Sequence, residues 1–151
     1  MVQDRQGRKL ASFEVGHGRI ANSIASDPTG RFLAWIDTAR HRQYSDKESV
    51  DFRLRIVDIS SLEVIENTIY QAFSGNDDVR CVAFSQDGRY LLLCGEESLG
   101  VHDLNTHSIV WSREGTSEYA SFSPGGMSIF AADYTGTVRC YDARTGQVVR
   151  Q

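Results

Sequence analysis

Residues 16–21, Gly16-His17-Gly18-Arg19-Ile20-Ala21, fit the G-x-G-x-x-A spacing of a dinucleotide-binding turn. That chemistry requires a helix straight after the glycines, because the phosphate sits on the helix N-terminus. Here the turn leads into Ile20–Ser26, a strand pattern stopped by Asp27-Pro28, so a strand entry is expected and no cofactor. The four histidines, His17, His41, His102 and His107, share no metal-ligand spacing on one element, and no metal is expected. Cys81, Cys94 and Cys140 contain no C-x-x-C pair and each lies inside an apolar run, which predicts small buried hydrophobes in a reducing compartment. No serine occupies a G-x-S-x-G elbow. The carboxylate pairs Asp77-Asp78 and Glu96-Glu97 are adjacent in sequence, and neighbours on a strand face opposite ways, so paired acid–base work is not expected. The chemistry-bearing residues therefore point to no catalytic residue and to a protein that is not an enzyme.

The elements that carry these residues are short. A chain of 151 residues with 40% hydrophobic and 24% charged residues has the composition of one globular domain. Its formal charge of −4 argues against a general nucleic-acid surface, and no apolar run is long enough for a membrane helix. The polar start, MVQDRQGRKL, offers no secretory apolar core, and a cytoplasmic location is expected. Within Val79–Asp103, three apolar runs are each cut by a polar turn, Ser85–Gly88 and then Gly95–Ser98. Such runs are strands joined by tight turns.

The same phrase occurs three times. The turn glycines Gly30, Gly88 and Gly126 are 58 and 38 residues apart, and the strand-ending Asp58, Asp103 and Asp142 are 45 and 39 apart. A phrase recurring at about 40 residues with four strands per copy predicts propeller blades. The second strands, FLAWI, YLLLC and IFAA, are apolar on both faces, as packing between blades requires. The fold class is thus all-β: a segment of three four-stranded antiparallel blades, with an N-terminal fourth strand from a preceding blade. Residues 1–14 end that truncated blade; the whole blades are 15–69, 74–112 and 115–151. The first blade carries a polar insertion, 38–51, read as a loop between its second and third strands. Three blades cannot close a ring, so an apolar face is expected to lie open, to be covered by the remaining blades of a longer chain or a second copy.

The pattern of an apolar strand, Ser-x-Asp-Gly, a second apolar strand and a third strand ending in Asp resembles WD-repeat beta-propellers over nearly the whole chain. Gly16-His17 resembles the family's Gly-His pair, and Tyr141-Asp142 stands where its Trp-Asp occurs, with Asp58 and Asp103 as the corresponding aspartates and Asp133 as the turn aspartate. No Trp-Asp pair is present. The resemblance implies a scaffold that binds protein or peptide partners on the rim shared by second-to-third-strand and fourth-to-first-strand loops. On that rim the candidates are Arg40, His41, Arg42 and Tyr44 of the insertion, with His17, Asp78, Glu96, Glu97 and Tyr134. Arginine and tyrosine are enriched where interfaces gain their energy. The alternative is an enzyme or small-ligand-binding propeller with its site at the central channel. The mainly small, apolar first strands do not favour it.

Overall fold

The computed structural model describes residues 2–3, 6–7, 9–13, 19–42, 48–70, 79–95, 98–115 and 117–150. Every regular element among them is a strand. β1 (Val2–Gln3) and β2 (Lys9–Ala11) form a two-stranded antiparallel sheet. β2 falls where the N-terminal strand is expected from sequence, and it pairs with the shorter β1. The first four-stranded sheet is β3 (Arg19–Ser26), β4 (Phe32–Arg42), β5 (Glu48–Asp58) and β6 (Glu63–Tyr70). The second is β7 (Val79–Phe84), β8 (Tyr90–Gly95), β9 (Ser98–Asp103) and β10 (Ser108–Glu114). The third is β11 (Tyr119–Phe122), β12 (Ser128–Ala132), β13 (Val138–Asp142) and β14 (Val148–Arg150). In each sheet the strands lie side by side in chain order, all antiparallel.

The repeated turn explains why three different sequences build the same sheet. Gly30, Gly88 and Gly126 adopt φ of 73°, 70° and 69°, a left-handed conformation that costs glycine least. Each donates its amide to the residue three before it, Asp27, Ser85 or Ser123. The side chains of those three residues in turn accept the amides of Phe32, Tyr90 and Ser128, which starts the second strand. The third-to-fourth-strand turn is tied to the same end of the sheet: Ile59, Leu104 and Ala143 donate their amides to the carbonyls of Arg31, Arg89 and Met127.

The sheets stack face to face through two apolar seams. The first holds Ala34, Ile36, Leu54 and Ile56 of one sheet against Val79, Val82, Leu91 and Leu93 of the next. The second holds Leu92, Cys94, Leu99 and Val101 against Ile129, Ala131, Tyr141 and Ala143. Alternate residues of β8 therefore serve opposite seams, which is why YLLLC is continuously apolar. The first strands run beside one another, β3 with β7 and β7 with β11, and Val82 donates its amide to the Ser23 hydroxyl at 3.0 Å. Sheets packed face to face with their first strands gathered along one edge are propeller blades.

Two expectations need correction. The insertion 38–51 is not a loop in its described part. The β4–β5 ladder continues through Thr38↔Phe52 and Arg40↔Val50 to Arg42↔Glu48, and residues 43–47 lie outside the described residues. Two chain segments that already run antiparallel satisfy their backbone groups best by continuing the ladder. The cysteines, expected to be three separate buried hydrophobes, include a pair. Cys81 lies directly opposite Cys94 across β7 and β8, with Cα atoms 5.1 Å apart, and the two form a disulfide. Cys140 is free and half-buried.

The outer face of the third sheet is open. Phe130 is 45% exposed and Val138 56% exposed. By distance from the turn glycine and the strand-ending aspartate, they are the counterparts of Leu92 and Leu99, which the second seam buries.

Candidate functional site

In a sheet of four antiparallel strands in chain order, the first-to-second and third-to-fourth turns lie at one end. The second-to-third turns and the links between sheets lie at the other. The predicted partner rim is this second end, and the β4–β5 hairpin dominates it. The other sheets close the corresponding connection between Gly95 and Ser98 and between Ala132 and Val138. Five further residues of β4, Thr38–Arg42, carry the hairpin about 16 Å beyond that level at about 3.3 Å per residue. Arg40, His41 and Arg42 occupy consecutive positions on this extension. Tyr44, His17, Asp78, Glu96 and Glu97, and with His17 the preceding Gly16, lie outside the described residues. Tyr134 stands at the tip of the third sheet's hairpin, 75% exposed.

The base of the rim is organised by charge. Arg80 of β7 pairs with Glu118 at 3.2 Å, bridging the second sheet to the entry of the third. Asp133 accepts hydrogen bonds from the Thr135 hydroxyl, the amides of Thr135 and Thr137, and the Arg139 guanidinium. These donors, the Thr135 hydroxyl first, hold its pKa at about 2. Asp37 and Arg55 form an ion pair at 2.8 Å with the aspartate fully buried. Asp37 and Asp133 each sit seven residues after the turn glycine, and Arg55 and Arg139 each three before the strand-ending aspartate. Both pairs thus occupy one repeat position, whose counterparts in the second sheet are Gly95 and Gly100. Sequence reading reached Asp133 and missed the two arginines, although aligning the copies on their strand-ending aspartates exposes them.

The opposite end is fixed by the repeat aspartates. Asp58 accepts from the Ser60 hydroxyl and amide and from Arg31, whose Nη2 lies 2.7 Å away. Asp103 accepts from Arg89 Nε and Nη2 at 3.1 and 2.8 Å and from the amides of Asn105 and Thr106. Asp142 accepts from the amides of Arg144 and Thr145 and the Thr145 hydroxyl. In the third sheet Met127 replaces the arginine of the other two. All three carboxyls are held below the usual aspartate range: Asp58 by the Ser60 hydroxyl and then Arg31, Asp103 by Arg89, Asp142 by the Thr145 amide. Tyr141 is buried in the second seam with Arg113 over its ring.

Residues 67–103 match the family model described as WD domain, G-beta repeat. Over these residues the chain is similar to a WD repeat. The matched stretch takes in the end of β6 and all of β7, β8 and β9, so the similarity spans the last strand of one sheet and three strands of the next. The three four-stranded antiparallel sheets agree with partial WD-repeat propeller blades. A search of curated proteins finds no match to the chain. WD-repeat domains are, as a class, protein-interaction modules. Among the described residues no group of three or more His, Cys, Asp or Glu side chains is placed to hold a metal ion, and no helix is long and apolar enough to cross a membrane.

Proposed function

We propose that this WD-repeat segment is a non-enzymatic scaffold that binds protein or peptide partners on the rim carrying the β4–β5 hairpin. The observation behind the reading is the hairpin itself, a ladder prolonged about 16 Å past the level at which the other sheets turn. The second and third sheets complete their ladders without such an extension, so it is surplus to blade packing. Its sequence, with Arg40, His41, Arg42 and Tyr44, is of the type that anchors interfaces. Tyr134 extends the same rim to the third sheet. The open face of the third sheet belongs to a separate role in this proposal: it packs against remaining blades of a longer chain or a second copy.

The test removes the hairpin without disturbing its base. Deleting residues 40–50 and joining Ala39 to Asp51 by an Asn-Gly turn keeps the Ala39↔Asp51 pair closed. The variant is expected to keep the wild-type thermal midpoint and to lose proteins that crosslink to the wild-type chain. An unchanged set of crosslinked partners in a folded variant would defeat the rim reading.

A further inference from the structure

On the end of the molecule opposite the hairpin rim, a cleft of about 600 Å³ opens between the second and third sheets. Its volume is within the range of ligand sites, about 300–1,000 Å³. Its walls are Tyr90 and Val110 on one side and Phe122 and Met127 on the other, with Ala143 beneath. The repeat explains why it exists. The residue after the strand-ending aspartate is Ile59 in the first sheet, Leu104 in the second and Ala143 in the third. Leu104 packs onto the first seam, filling the space that Ala143 leaves empty at the second. The residue before the turn glycine is Thr29, then Asp87, then Gly125. The residue after it is Arg31, then Arg89, then Met127, which is 64% exposed. The third sheet has thus lost bulk at two aligned positions and charge at a third, all around one cleft.

Arg144 stands exposed at the mouth, while Arg89 on the same edge is held by Asp103. The one carboxylate on the lining, Asp87, is turned onto its own loop, accepting from the Ser85 hydroxyl at 2.5 Å and the Arg89 amide at 3.1 Å. We propose that this cleft is a second binding site, which takes a peptide segment carrying a large apolar side chain beside a carboxylate. The apolar side chain occupies the space over Ala143 between the Tyr90–Val110 wall and the Phe122–Met127 wall, and the carboxylate meets Arg144. The site is independent of the hairpin rim.

Grafting the second sheet's residues onto the third tests this. The probe is a fluorescein-labelled hexapeptide, Gly-Asp-Glu-Leu-Phe-Gly, titrated with the 151-residue chain and read by anisotropy. Ala143→Leu restores the bulk that Leu104 supplies elsewhere, and is expected to weaken binding at least about tenfold, as occluding an apolar pocket does. Arg144→Asn, matching Asn105, is expected to weaken it about twofold to fivefold, a difference erased by about 0.5 M salt. A Cβ at Gly125 meets no atom within 4 Å, and Gly125→Asp sets a carboxylate in the lining; it provides a second blocking variant should Ala143→Leu fail to fold. A Gly-Lys-Lys-Leu-Phe-Gly peptide is expected to bind more weakly than the acidic one. Absence of saturable binding by the acidic peptide, equal binding of the lysine peptide, or unchanged affinity in the folded blocking variants would each overturn the proposal.

Discussion

Leu92→Ala is the substitution that bears hardest on blade packing. Leu92 is fully buried in β8, within the seam between the second and third sheets. Truncating a buried leucine removes its transfer free energy and leaves a cavity, together about 2–5 kcal/mol. A domain of this size is stable by about 5–15 kcal/mol, so the thermal midpoint should fall by roughly 5–20 °C. The control is Phe130→Ala at the same repeat position of the third sheet. A buried phenylalanine would cost about 3–5 kcal/mol on truncation; at 45% exposure Phe130 should cost only about 1 kcal/mol, because much of its ring already faces water. Thermal and urea denaturation followed by circular dichroism measure both. If Leu92→Ala is as mild as Phe130→Ala, the second sheet is not packed between neighbours and the stacked-blade reasoning fails. If Phe130→Ala is as costly as Leu92→Ala, the outer face of the third sheet is covered in solution.

Gly146→Ala should destabilise by about 2–4 kcal/mol in chemical denaturation, since φ is +68° and a Cβ would lie 2.6 Å from the Trp111 ring. Gly136→Ala, at φ +84° with open space around it, should cost only about 1 kcal/mol; equal losses would show that the Trp111 contact is absent. Stability should fall in acid between about pH 4 and about pH 2. The Asp133 carboxyl is held at about 2 in the folded chain, so its contribution is present above its unfolded value of about 4 and vanishes as pH drops through the folded one. Asp133→Asn should be less stable than wild type at pH 7 and lose less over that interval in a pH series of urea melts; a parallel loss would refute the assignment.

Much of the architecture was legible because the repeat forces it. The turn glycines and strand-ending aspartates must recur for the same hydrogen bonds to form, so aligning them located three sheets and their strands. The continuous apolar run in β8 announced burial on both sides. The insertion misled because a hairpin projecting beyond its sheet needs no apolar face, so its polar sequence carries no period to read. The Cys81–Cys94 disulfide depended on register within one hairpin: a one-residue slip would set the two on opposite faces. The cleft over Ala143 was written in the size of three aligned residues. Its meaning appeared only when the seam placed them together.

Methyl–methyl and methyl–ring nuclear Overhauser contacts across the second seam test the stacked-sheet account most directly. The account predicts contacts linking Leu92 and Leu99 of the second sheet with Ile129 and Ala131 of the third, and none from the Phe130 ring to the second sheet. A spectrum in which Phe130 contacts Leu92 while Ile129 does not would invert the packing and contradict it.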